Sequence, residues 1–245
     1  PMERIKTRDG ECPAGVFRPT SGAGPWPAVI VFMDGIGMRP ALEPIARRIA
    51  DRGYFVVLPD MFYRVGPYTA PEPAKLFSDP ELRAEWFKKV AATRDQSNLR
   101  ADIEAFLAFL DAQGDVRGPK VGTTGYCMGG RISFQAAGWF PERIAAMGAF
   151  HPGGLATDDA DSPHLLAPNI KAKVYVGGAS EDQSFDDAQK KRVDDALTAA
   201  GVDHTVVTYP AKHGWVPADT PVHDHVQTER HFEALFALFE GTLKT

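Results

Sequence analysis

Residues Lys120–Gly130 read KVGTTGYCMGG, and this stretch decides the fold. Lys120–Thr124 has the pattern of a short β-strand, and a helix is predicted from about Arg131 to Gly138. Between them stands Gly125-Tyr126-Cys127-Met128-Gly129, of the form Gly-x-nucleophile-x-Gly on a strand-to-helix turn. Such a turn holds the nucleophile clear of the backbone, and the glycines remove Cβ atoms that would collide there. The helix that follows directs the positive end of its dipole at the turn, which favours negative charge on sulfur or on a developing oxyanion. A glycine-rich turn can also hold an inert buried cysteine, so the assignment rests on what surrounds it.

Outward from the turn, short buried-looking apolar runs alternate with amphipathic stretches. Ala28–Met33, Tyr54–Pro59, Ile144–Phe150, Lys171–Val176 and His204–Tyr209 read as strands. Pro40–Arg52, Glu81–Val90, Gln96–Gln113, Ala188–Ala200 and Val226–Phe239 read as helices. Asp60 to about Pro80 reads as a long irregular segment whose aromatic residues suit a binding wall. The alternation predicts an α/β fold, a doubly wound and mostly parallel sheet with helices on both faces. Neither an internal repeat nor a linker divides the chain, so residues 1–245 are read as a single domain.

Composition narrows the partners. Of the 245 residues, 44% are hydrophobic and 24% charged, enough for a large core. The net charge is −5 and Lys and Arg are scattered, which argues against nucleic acid or an anionic membrane as partner. No apolar run reaches the roughly 18–20 residues of a membrane span. Two cysteines, Cys12 and Cys127, make no disulfide framework and have no metal-ligand spacing. His223 and His225 are too close together, without further ligands, to suggest a metal site. The expectation is a cytoplasmic monomer that acts on a small molecule without cofactor or metal.

In an open α/β sheet the ligand site lies beyond the carboxyl ends of the strands. The residues there include Asp34-Gly35-Ile36-Gly37, Phe62 and Tyr63, Cys127, Phe150 and His151, Glu181 and Asp182, and His213. Cys127, Asp182 and His213 stand in the order nucleophile, acid, histidine, the chain order of the α/β-hydrolase triad. Asp182 would hold the imidazole in the correct tautomer, although Glu181, Asp186 and Asp187 are alternatives for the acid. Two backbone N–H groups are needed for the oxyanion: that of Met128, and that of Gly35 or Ile36. Phe62, Tyr63, Phe150, His151 and Trp215 are the candidate pocket lining, and core packing explains any one of them equally well.

The stretches AVIVFMDGIG, GYFVVLPDMFYR, GYCMGGR, GGASED and KHGW together resemble the dienelactone hydrolase family, over about Ala14 to Phe239. The resemblance implies an α/β-hydrolase fold and hydrolysis of a small lactone or ester through Cys127, Asp182 and His213, by way of an acyl-thioester. It also implies an acidic residue that contacts the resting thiol, matched here by Asp34, an aspartate where the family has glutamate. Lactone-cleaving members bind a substrate carboxylate with arginines, one of them four residues after the triad histidine. Pro217 stands at that position here. Arg83 matches another loosely, with Arg64 and Arg94 as substitutes. Rival readings are an acyltransferase or thioesterase on the same triad, and a catalytically silent ligand-binding scaffold.

Overall fold

The computed structural model describes residues 1–245, and its centre is a sheet of eight strands. In chain order these are β1 (Met2–Thr7), β2 (Gly10–Phe17), β3 (Trp26–Phe32), β4 (Phe55–Pro59), β5 (Val116–Tyr126), β6 (Ile144–Phe150), β7 (Lys173–Gly178) and β8 (His204–Thr208). The spatial order is β1-β2-β4-β3-β5-β6-β7-β8. Strands β3 to β8 run parallel, whereas β1 and β2 form an antiparallel hairpin that pairs with β4. The protein therefore has a mixed, mostly parallel α/β sheet.

The helices are α1 (Glu43–Ala50), α2 (Pro73–Ser78), α3 (Pro80–Val90), α4 (Gln96–Asp111), α5 (Met128–Trp139), α6 (Asp187–Ala199) and α7 (His225–Glu240). The β3–α1–β4 connection steps along the sheet in the opposite sense to β5–α5–β6. Right-handed crossovers consequently put α1 and α5 on opposite faces. On its face α1 meets α7, where Arg48 pairs with Glu229 and lies over the Phe232 ring. The central strands are buried on both sides, as expected when helices cover both faces. No helix is long and apolar enough to cross a membrane.

Three local features differ from the sequence reading. The sequence pattern does not mark the hairpin β1–β2: MERIKT buries a single apolar residue, Ile5, at a sheet edge, and Pro13 interrupts the strand pattern of β2. The segment after β4 contains a helix, α2, which starts on Pro73 at the position where a missing N–H costs nothing. Helix α5 begins at Met128 directly after the turn rather than near Arg131. Gly129 and Gly130, poor helix formers, hide its first turn.

Candidate active site

Cys127 lies between β5 and α5 with φ 57 and ψ −118, a left-handed backbone that a non-glycine residue adopts only under constraint. Its N–H donates to the Phe150 carbonyl at the end of β6 (3.1 Å). The glycines on either side are obligatory. A Cβ on Gly125 would stand 1.9 Å from the Gly129 carbonyl oxygen, and one on Gly129 would stand 2.1 Å from that of Phe32. The turn thus packs against β3 at distances no side chain permits, and the thiol projects from the carboxyl edge of the sheet.

His213 reaches the same place from the loop after β8. Its Nε2 is 3.0 Å from Cys127 Sγ, and its Nδ1 is 2.6 Å from Asp182 Oδ2. Since a carboxylate only accepts, Nδ1 carries a proton and Nε2 faces sulfur. Asp182 follows β7, and its other oxygen accepts from the Ser184 N–H (3.0 Å) and hydroxyl (2.7 Å). The carboxylate is clamped in orientation before it meets the ring. Of the alternatives for the acid, Asp186 caps α6 through the Gln189 N–H.

The electrostatics follow from these contacts. Burial alone pushes the Cys127 thiol up, but the His213 charge and hydrogen bond, aided by the Gly35 N–H, bring it below its ordinary value against the opposing charge of Asp34. Burial would lower His213, yet the charge on Cys127 and the bond to Asp182 hold it well above the usual histidine range. Asp182 is pushed up by burial and brought down further by His213 and Ser184, so it stays ionised. The directions at Cys127 and His213 both favour a thiolate–imidazolium pair over a neutral thiol and imidazole.

The loop after β3 supplies donors from the other side. The Gly35 N–H favours negative charge on the sulfur, and Trp86 Nε1 anchors the loop by donating to the Gly35 carbonyl (2.9 Å). The Met128 N–H, first in α5, has no intrahelical acceptor. Ile36 was an equal candidate for the oxyanion hole, but its N–H donates to Asp34 Oδ1 (3.1 Å), which leaves Gly35 and Met128.

Asp34 itself departs from the expected contact with the thiol. Both its oxygens accept from Arg39, at 2.8 and 3.0 Å, so the carboxylate is held by that guanidinium while the sulfur bonds to His213. Among the proposed lining residues, Arg83 and His151 border a cavity beside Cys127. His151 is fully buried with φ 36, and neither ring nitrogen has a partner. Burial, with the charges of His213 and His231, holds it well below the usual histidine range and therefore neutral. Phe62, Phe150 and Trp215 are fully buried core residues that do not reach the cavities. Tyr63 turns its hydroxyl to Asp102 (2.7 Å) and away from the site. Each of the three core rings is held by packing: Phe62 against Trp86, Phe150 on Tyr126, and Trp215 on Tyr209. Arg64 is likewise committed, to Asp9 and Asp102. Sequence reasoning missed Arg131, which lines the site one helical turn beyond Cys127; the arginine that closes GYCMGGR was its visible signal.

Comparison with known proteins identifies the family. The model of the dienelactone hydrolase family matches residues 13–243. The chain belongs to the dienelactone hydrolase family. A Methylorubrum extorquens protein provisionally named carboxymethylenebutenolidase is 30% identical over 213 residues, covering 84% of this chain and 68% of its own. The Pseudomonas putida carboxymethylenebutenolidase is 28% identical over 176 residues, 71% of this chain and 69% of that protein. Among solved structures, a Klebsiella pneumoniae protein described as a dienelactone hydrolase superposes with a TM-score of 0.83 at 22% identity, over 98% of this chain and 97% of its own. A dienelactone hydrolase-like promiscuous phosphotriesterase from metagenomic libraries superposes with a TM-score of 0.76 at 25% identity, covering 98% of each chain.

Proposed function

We propose that this dienelactone hydrolase family protein hydrolyses small esters or lactones with Cys127 as nucleophile, His213 as base and acid, and Asp182 as the group that orients and charges the imidazole. The observation that carries the reading is the continuous relay from Asp182 Oδ2 to His213 (2.6 Å) and from His213 to Cys127 Sγ (3.0 Å). All three groups are side chains of this chain, and the chemistry needs no cofactor.

The thiol proton resides on His213 in the ion pair. The thiolate attacks the carbonyl carbon, and the oxyanion that forms is held by the N–H groups of Gly35 and Met128. Collapse expels the alkoxide, which takes the proton from His213, and the acyl group remains on sulfur as a thioester. Neutral His213 then takes a proton from water, whose oxygen attacks the thioester. Collapse of the second oxyanion releases the acid and restores the thiolate–imidazolium pair. The net change is one water added across one ester bond. In this reading residues 1–245 act as one catalytic domain, as a monomer, in the cytoplasm.

The test is turnover of a neutral aryl ester and of a dienelactone by the wild-type protein and by Cys127→Ala. Hydrolysis by the wild type alone is expected. A wild type inert on both compounds, or a fully active Cys127→Ala protein, overturns the proposal. The 25% identity to the metagenomic phosphotriesterase makes an aryl phosphotriester the next substrate to assay.

A further inference from the structure

Two cavities meet at Cys127, and both also border Gly35, Phe87 and His213. The smaller, about 280 Å³, is lined chiefly by apolar side chains, among them Ile36, Leu76 and Phe77. The larger, about 830 Å³, runs between the first turns of α4 and α5. It holds Arg131, Gln135 and Arg94 in its wall.

Arg131 and Gln135 are spaced by four residues and so share one face of α5, the helix that starts directly after Cys127. Arg131 is partly buried, yet its guanidinium has neither a hydrogen bond nor an ion pair. That is exceptional in this protein. Buried Arg39 is bonded to Asp34 and Asp219, and Arg64 to Asp9 and Asp102. Asp159 and Asp161 lie near Arg131 without pairing with it, and Arg94 adds a second positive charge from the exposed rim. Gln135 is 2% exposed and borders the same cavity, and its Oε1 is buried without a partner. The remaining acid in the wall, Asp95, is occupied as the cap of α4. Space has also been left for the guanidinium: Gly154 has φ 65, and a Cβ there would stand 2.9 Å from Arg131 Nη1. A desolvated guanidinium without an acceptor is costly unless a ligand provides one.

Resting on the hydrolase reading above, we propose that the larger cavity receives the leaving group of the ester and that Arg131, with Arg94 and Gln135, binds an oxyanion, carboxylate or phosphate, carried on that alcohol. The apolar arm suits the acyl group, while the arm rimmed by exposed Arg94 receives the alcohol. His213 borders both arms and so can deliver its proton to an oxygen that departs into the larger one. Guanidinium–oxyanion bonds are charge-assisted and geometrically selective, so the charge on the alcohol becomes a determinant of specificity.

The experiment compares para-acetoxybenzoate with its neutral isostere para-acetoxybenzamide. The amide withdraws electrons at least as strongly as the carboxylate, so intrinsic reactivity works against the expected order. The wild type should favour the carboxylate in kcat/KM by about tenfold or more, the scale of one charge-assisted contact. Arg131→Gln should bring that ratio to about one, and Arg131→Lys should keep part of it. Circular dichroism checks that both variants are folded. A wild-type ratio near one, or a ratio untouched by Arg131→Gln, overturns the subsite. Direct binding separates this outcome from failure of the hydrolase reading. Cys127→Ala protein is titrated calorimetrically with para-hydroxybenzoate, para-hydroxyphenyl phosphate and para-hydroxybenzamide. Tighter binding of either anion, lost on adding Arg131→Gln, upholds the subsite even if no ester is cleaved, and the preferred anion names its source. Equal binding of all three overturns it.

Discussion

Arg39 grips Asp34 with two hydrogen bonds, Nη1 to Oδ1 at 2.8 Å and Nη2 to Oδ2 at 3.0 Å, with only 6% and 4% of the two side chains exposed. The same guanidinium holds Asp219 from the loop beyond His213, at 2.8 and 3.1 Å. One arginine thus ties the loop after β3 to the loop that follows His213, and it offsets the charge of an acid that acts on Cys127. Asp34 opposes ionisation of Cys127 only by its charge, and Arg39 compensates much of that charge.

Removal of the guanidinium should therefore be felt twice. Arg39→Met leaves a buried carboxylate without its partner, at a cost of about 3–5 kcal/mol in unfolding free energy. The uncompensated charge should also raise the Cys127 thiol and slow its alkylation at neutral pH. Urea unfolding and the rate of iodoacetamide labelling measure the two effects. A variant as stable as the wild type, with unchanged labelling, would show that the pair has no bearing on the nucleophile.

The lowered pKa of Cys127 and the raised pKa of His213 set a direction for pH dependence. Because the Cys127 pKa is lowered, its thiolate persists at pH values where an ordinary thiol is protonated. The labelling rate should consequently rise with pH through a midpoint below the ordinary thiol value. Asp182 is one of the groups that raise His213, so Asp182→Asn should lower the histidine, depopulate the imidazolium and move the Cys127 midpoint upward. Turnover should fall by about three to four orders of magnitude, as when an orienting acid is neutralised in other triads. An unmoved midpoint in Asp182→Asn would assign the shift to another group.

Much of this site was legible because its members occupy strand ends, where chain order alone points to Cys127, Asp182 and His213, which the fold brings within hydrogen-bonding distance. The turn at Cys127 announces itself by glycines that packing requires, and His213 and Asp182 follow the last two strands of the sheet. What was not legible is direction. Phe150 and His151 are adjacent, yet one is a core ring stacked on Tyr126 and the other borders the cavity. Sequence cannot tell these apart without the twist of β6. The choice among acids near residue 182 is likewise a matter of clamping by Ser184, which no spacing rule encodes. The missed β1–β2 hairpin lies at the sheet edge, where the hydrophobic signal is weakest.

The hairpin is fastened to the rest by a second buried charge cluster. Asp102 on α4 is fully buried and accepts from Tyr63 (2.7 Å) and from Arg64 (2.7 and 2.9 Å), while Arg64 also holds Asp9 at the hairpin turn. Asp102→Ala leaves Arg64 with Asp9 alone and the Tyr63 hydroxyl with Thr7 alone, and should destabilise the fold by about 1–3 kcal/mol. Since the cluster is remote from Cys127, kcat/KM of the protein that remains folded should change far less than stability. Paired thermal melts and initial rates test this; a catalytic loss larger than the stability loss would connect the cluster to the site.

Cys12 lies beside that cluster, and its chemistry should be opposite to that of Cys127. It is fully buried in β2, its sulfur faces the Asp60 carbonyl at 3.3 Å, and burial with the charges of Asp102 and Asp60 drives its thiol far above the ordinary range. No thiolate forms there at neutral pH, and reactivity follows the thiolate. Native protein treated with iodoacetamide should gain a single label, on Cys127, and a second should appear on Cys12 only after denaturation. Peptide mass mapping reads both positions. Labelling of Cys12 in the folded protein at a rate comparable to Cys127 would mean that β2 opens readily, and with it the edge of the sheet that Arg64 and Asp102 are argued to secure.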